Sequence, residues 1–153
     1  MQINQATTPA QLAAIRSLFQ EYAAWLRVDL CFQKFEEELT TLPGLYAPPR
    51  GCLLLAADGD GFAGCVALRP LGDTVCEMTR LFVRPAYLGR GLGRELAQRV
   101  IAEAQNIGYS SMRLDTLPFM HGAIGLYETL GFVRCSAYYA TPLPETVFME
   151  LRL

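Results

Sequence analysis

The sequence predicts a mixed α/β domain, with a mostly antiparallel sheet of about six to seven strands and about four helices on its faces. Three observations lead there. Apolar residues recur at helical spacing in some segments and form short continuous runs in others. Turn residues punctuate these segments without any linker, repeat or low-complexity tract between them. The resulting order is ααβββαβαββ, with a further strand at residues 2–5, so helices and strands interleave as they do when helices cover a sheet. At 153 residues the chain suits one domain over 1–153.

Taken in order, Thr8 reads as a helix N-cap, Pro9 as the first helical residue and Gln11 as the return arm of a capping box. Leu12, Ile15, Phe19, Tyr22 and Leu26 then form one apolar stripe. A second helix is expected over 33–42, burying Phe35 and Leu39, with Pro43-Gly44 as its stop. Its Glu36-Glu37-Glu38 run is expected to be a solvated face. Strands follow over 52–57 and 62–68, joined by the hairpin turn Asp58-Gly59-Asp60-Gly61. A longer strand over 75–83 ends at Pro85. Leu92, Leu96, Val100 and Ala104 mark a helix running to Gly108. A strand over 112–116, a helix over 120–130 stopped by Gly131, and strands over 132–138 and 146–151 complete the chain.

Composition narrows the function classes. Thirteen Lys+Arg against fifteen Asp+Glu leave a net charge of −2, without the basic excess of a protein that binds nucleic acid or an anionic membrane. The hydrophobic content of 52% argues against disorder. The longest aliphatic run, 52–57, is far below the roughly 18–20 residues of a membrane helix. Residues 1–5 show neither a basic nor an apolar signal region, so a cytoplasmic protein is expected. The cysteines at 31, 52, 65, 76 and 135 form no C-x-x-C pair and read as reduced, mostly buried side chains. With one histidine, His121, and no cysteine near it, no metal site is expected.

The chemistry concentrates in residues 81–94, a strand followed by a glycine-rich turn and a helix start. Gly89, Gly91 and Gly93 allow close backbone approach, and the helix start presents unpaired N–H groups with partial positive charge. That combination suits phosphate or pyrophosphate. A P-loop is absent, since no Gly-Lys-Ser/Thr occurs and Lys34 is the only lysine. A dinucleotide fingerprint fails because Arg94 stands where its third glycine belongs.

The segment resembles the acyl-CoA motif of the GNAT superfamily of N-acetyltransferases, V-x-P-x-x-[RQ]-x-x-G-x-[GA], through Val83, Pro85, Gly91 and Gly93. Leu88 stands where Arg or Gln is usual. The superfamily's second motif, A-[IV]-x-L-Y-x-x-L-G-F, matches Ala123-Ile124-Gly125-Leu126-Tyr127-Glu128-Thr129-Leu130-Gly131-Phe132 without a gap. Met120 replaces a frequent Asn. The resemblance implies an acyl-CoA N-acyltransferase-like fold and transfer of acetyl from acetyl-CoA to a primary amine of a small-molecule, amino-acid or peptide-like acceptor. The rival is a non-catalytic acyl-CoA-binding sensor or regulatory module. A homodimer is an option the family leaves open.

Amine acetylation needs a base, an oxyanion stabiliser and an acid for the departing thiolate. The resemblance points to Glu77 as the base, on the same alternating face as Thr79 and Leu81 unless a bulge intervenes. The bland reading of Glu77 is a sheet carboxylate paired with Arg80 or Arg113. Tyr127 is the acid the motif implies, against a plain core aromatic. Backbone groups of Leu81, Phe82 and Val83 are expected to hold the acetyl and pantetheine end. Amides from Gly89 through Arg90, Gly91, Leu92 and Gly93 to Arg94 are expected to hold the pyrophosphate. His121 reads as a surface residue. Asp115 either fixes a substrate ammonium or caps the following helix. Tyr22, Trp25, Phe32 and Phe35, with Tyr138 and Tyr139 from a Pro-containing late loop, are expected near the acceptor.

Overall fold

A computed structural model describes residues 1–26 and 34–153; the expectations for Cys31, Phe32 and Gln33 fall outside the described residues. The elements are β1 (Gln2–Gln5), α1 (Pro9–Leu26), α2 (Phe35–Thr41), β2 (Cys52–Asp58), β3 (Gly61–Pro70), β4 (Val75–Val83), α3 (Leu92–Ile107), β5 (Ser111–Thr116), α4 (His121–Thr129), β6 (Val133–Arg134) and β7 (Val147–Arg152). The capping box forms as the sequence implies. Thr8 Oγ1 accepts from the Gln11 N–H at 3.2 Å, and Gln11 Oε1 accepts from the Thr8 N–H at 3.0 Å.

The strands form one sheet in the order β1-β2-β3-β4-β5-β7-β6. Every neighbouring pair is antiparallel except β4 and β5. The continuous apolar runs of β2 and β3 follow from burial on both faces. Leu54, Ala56, Val66 and Leu68 pack with Leu92, Leu96 and Val100 of α3 and with Ile124 and Tyr127 of α4. Leu53, Leu55, Cys65 and Ala67 pack on the opposite face with Ile15, Leu18 and Phe19 of α1 and Phe35 of α2. Each large apolar side chain so removed from water contributes roughly 1.5–3 kcal/mol before entropy is counted. Cys52, Cys65 and Cys76 are buried free thiols and Cys135 is half-buried. Among the described residues no helix is long and apolar enough to cross a membrane.

Two sequence expectations change. The strand expected over 132–138 is only Val133–Arg134 long. The chain leaves the sheet after Cys135 because Tyr138 and Tyr139 pack their rings on Phe148, with centroids 5.2 and 5.3 Å away. The acidic run of α2 is not wholly solvated either. Glu36 and Glu37 are exposed, but Glu38 turns inward to Arg80 at 3.0 Å and accepts from the Tyr46 hydroxyl at 2.7 Å.

The feature that positions the site is a split in the sheet. Strands β4 and β5 pair only from Val75–Ser111 to Glu77–Arg113. Both then continue, over 78–83 and 114–116, without pairing each other. A bulge in β4 accompanies the split: Arg80 has φ 58, and the register with β3 shifts by one between Cys65 and Ala67. A bulge bends its strand and increases its twist, which turns β4 away from β5.

Candidate active site

The bulge decides which side chains share a face. Below it, Glu77 and Thr79 point to the α1/α2 side, while Cys76 and Met78 join the core under α3. Arg80 takes the extra position and stays on the α1/α2 side with Glu38 and Phe35; its guanidinium lies 5.3 Å from the Phe35 ring centre. Leu81 is thereby moved to the α3 side. The expected shared face of Glu77, Thr79 and Leu81 is therefore corrected: Arg80, not Leu81, accompanies the first two.

Backbone groups of β4 face the split in alternation. The Arg84 N–H donates to the Ala63 carbonyl of β3 at 2.8 Å. Counting back by two, Phe82 also turns its backbone to β3, and Leu81 and Val83 turn theirs toward β5. The Phe82 carbonyl lies so close to Gly64 that a Cβ there would stand 2.5 Å from it, so only glycine fits that contact. Of the three expected strand residues, Leu81 and Val83 thus offer free N–H and C=O groups to the opening, and Phe82 does not.

The glycine turn ends at the helix start in line with the split. Gly89 and Gly91 have φ of 78° and 77°, a conformation that glycine adopts without the steric cost of a Cβ. Gly91 caps α3, and the first helical bond runs from the Glu95 N–H to the Gly91 carbonyl at 3.1 Å. The N–H groups from Gly89 to Arg94 meet no acceptor among the described residues. This is an open nest of donors at the positive end of a helix, and it fits an anionic phosphate group. Arg90 lies 5.3 Å over the Tyr87 ring, and Arg94 donates to Thr129 Oγ1 at 2.6 Å. Both are exposed, as is Leu88 at 63%.

A cleft with two adjoining lobes opens at the split. The inner lobe is lined by Tyr22, Leu26, Met78, Leu81, Thr116, Leu117, Met120, Tyr127, Leu143 and Thr146, and the outer by Glu38, Tyr46, Arg69 and Glu77. Thr79, Arg80, Asp115 and Tyr139 border both. Each lobe spans about 620 Å³ including its open mouth. Trp25, expected nearby, is instead 52% exposed. His121 is exposed at the start of α4 and borders neither lobe.

Tyr127 is buried beneath the inner lobe, 5.8 Å from the Phe132 ring, and its hydroxyl has no hydrogen-bond partner among the described residues. Burial raises its pKa, with Tyr22 and Asp115 adding in the same direction, so the phenol stays protonated at neutral pH. Tyr22 is similarly pushed up to about 12, chiefly by burial.

Glu77 is 4% exposed and holds two partners. Oε1 accepts from Arg69 Nε at 2.7 Å and Oε2 from the Tyr138 hydroxyl at 2.7 Å. Its partner is therefore Arg69, directly opposite it on β3, and neither Arg80 nor Arg113, which pair with Glu38 and Glu150. Arg69 was legible only from the β3–β4 register, which follows by counting back from the turn after Pro70. Asp115, at the end of β5, accepts from the Tyr139 hydroxyl and caps no helix. No arginine or lysine lies within ion-pair distance of Asp115 among the described residues. Burial raises its carboxyl, the Tyr139 bond lowers it, and the Glu77 charge raises it further, for a net rise.

The chain is similar in sequence and in fold to known acetyltransferases. The model of the Acetyltransferase (GNAT) family matches residues 12–132. An uncharacterised N-acetyltransferase of Schizosaccharomyces pombe is 40% identical over 153 residues, covering 99% of this chain and 94% of that protein. A Klebsiella pneumoniae structure described as an acyl-CoA N-acyltransferase has a TM-score of 0.77 at 26% identity, covering 99% of this chain and 97% of its own. A Salmonella typhimurium acetyltransferase solved with acetyl-CoA shares the fold, with a TM-score of 0.69 at 22% identity and coverage of 99% and 92%. With the family model spanning most of the chain and a relative this similar along its whole length, the chain belongs to the acetyltransferase (GNAT) family and is an N-acetyltransferase.

Proposed function

We propose that the protein transfers the acetyl group of acetyl-CoA to a primary amine by direct attack on the thioester, within the β4–β5 split. The observation that carries this reading is the alignment of three features along one opening. Unbonded amides lie at the α3 start, free strand groups at Leu81 and Val83, and an unengaged tyrosine hydroxyl beside a carboxylate at the inner end.

Acetyl-CoA supplies a thioester-activated acetyl group. The amides from Gly89 to Arg94 hold its pyrophosphate, with Arg90 and Arg94 adding charge at the rim. Leu81 and Val83 orient the pantetheine arm through strand-like hydrogen bonds, and one of their N–H groups stabilises negative charge on the acetyl oxygen. An amine enters as an ammonium with a pKa near 10 and must lose a proton before it attacks. Three carboxylates line the cleft, and Glu38 among them is paired with Arg80. Asp115 has an oxygen without a donor among the described residues and takes that proton directly. Glu77, the base expected from the sequence, has both oxygens hydrogen-bonded and acts through its charge and through Tyr138. Tyr127 returns a proton to the departing sulfur.

Thiol release from acetyl-CoA across an amine panel tests the reading, with Tyr127→Phe as control. Amine-dependent release that falls in the variant supports it. Binding of acetyl-CoA without release for any amine favours the sensor reading instead.

A further inference from the structure

The outer lobe carries a charge pattern that selects among amines. Glu38, Glu77 and Asp115 supply three carboxylates there, and Arg69 and Arg80 two guanidinium groups. Arg80 pairs with Glu38 and Arg69 Nε with Glu77, which among the described residues leaves Asp115 as the carboxylate of the three without a cationic partner. Arg69 spends only its Nε–H on Glu77. Its two terminal nitrogens have no acceptor among the described residues, and its side chain is 36% exposed.

Arg69 also borders the neighbouring groove over α2, beside Lys34 and Gly44. Among the described residues the cleft is therefore polarised, with a carboxylate that has no cationic partner at Asp115 and guanidinium N–H groups without an acceptor at Arg69. A second ammonium on the acceptor would meet Arg69 as a like charge. A carboxylate would meet a planar fork of donors suited to bidentate contact.

We infer that the acceptor is a zwitterionic amine, a free amino acid whose ammonium is held by Asp115 and whose carboxylate is held by the terminal nitrogens of Arg69. This rests on the acetyl-transfer reading above and names the acceptor class for the same site. Arg69 is then a specificity-determining residue, because its contact is to the end of the acceptor that does not react.

The test uses the full chain with acetyl-CoA and matched pairs that differ only in the carboxylate, such as phenylalanine with phenethylamine and leucine with isoamylamine, alongside a polyamine. The wild type is expected to use the amino acid of a matched pair about 10- to 100-fold better in kcat/KM, the range for a hydrogen bond to a charged group. Arg69→Gln, which keeps a donor for Glu77, is expected to remove that preference by raising KM for the amino acid more than KM for the matched amine, whatever the variant does to kcat for both. Calorimetric titration of the amino acid into the protein saturated with CoA is expected to show the same loss without turnover.

Equal or better use of the amines or the polyamine by the wild type overturns the inference and leaves acetyl transfer standing. An unchanged preference in Arg69→Gln overturns the role of Arg69. No turnover of any amine overturns both readings. The wild-type matched pairs decide the acceptor class even where the variant fails to fold.

Discussion

The two ends of the β4–β5 split are built in opposite ways. At the α3 end, the contacts offered are main-chain N–H groups contiguous in sequence, from Gly89 to Arg94, and their geometry depends on two glycines at positive φ. At the α1/α2 end, every polar group is a side chain, and they come from β3, β4, β5, α2 and the loop before β7: Arg69, Glu77, Asp115, Glu38 and Tyr138. A backbone cradle does not depend on side-chain identity, and the exposed Leu88 in place of Arg or Gln leaves its N–H groups in place. A side-chain network does not, because removing one member leaves a buried charge or hydroxyl unpaired. The difference teaches that the invariant half of the reaction can reside in a local motif while the selective half is assembled by the fold.

The largest expected effect lies where the two ends meet. Tyr127→Phe keeps the ring packing on Phe132 and removes a hydroxyl that no group engages among the described residues, so kcat is expected to fall about 100- to 1,000-fold, the scale of general acid catalysis. KM for acetyl-CoA should stay unchanged. A loss in KM alone would assign Tyr127 to binding and break the division between the ends.

Asp115→Asn tests the side-chain end. We expect a fall of about 100-fold in kcat/KM for the amine and loss of the acid limb of the pH profile. That limb should lie above the ordinary carboxyl value of 3.8, because the carboxyl is raised by burial. Stability should move the other way. A raised carboxyl binds more protons folded than unfolded, so stability declines as pH rises from 3.8 through the raised value, and the full cost is present at neutral pH. The variant should therefore melt higher at pH 7, with the gain shrinking below the ordinary value, as thermal denaturation against pH would show.

A smaller effect is expected at the backbone end. Gly91→Ala places a Cβ at φ 77, a strain of about 1–2 kcal/mol, although the space around it is open. KM for acetyl-CoA should rise several-fold with kcat at saturation kept. A larger loss in kcat than in KM would show that the two ends are coupled. The smallest effect should come from Leu88→Arg, which adds an exposed cation beside the cradle. Acetyl-CoA affinity should gain at most a few-fold, and the gain should fade at high salt. A salt-independent gain would point to a direct contact.

Legibility in the sequence followed the same divide. Periodicity and turn residues gave the helices and the long strands to within a residue or two, because the capping box, the stop signals and the apolar stripes are all local. The glycine turn and the helix start after it were equally legible. The strand expected over 132–138 was not, since its tyrosines are apolar enough to alternate as a strand does but are drawn off the sheet by Phe148 and by Glu77 and Asp115. Glu38 misled for a similar reason: three consecutive glutamates on a helix look alike until Arg80 appears beside one of them.

The sequence alone therefore determined the fold class, the family and the glycine turn before α3, because these depend on spacing within short segments. Only the tertiary structure decided which arginine meets Glu77, that Leu81 leaves its face, and that Asp115 meets Tyr139 in the cleft and no cation among the described residues. Those outcomes depend on one inserted residue in β4 and on strand register. A bulge of a single residue exchanges the faces of every side chain beyond it.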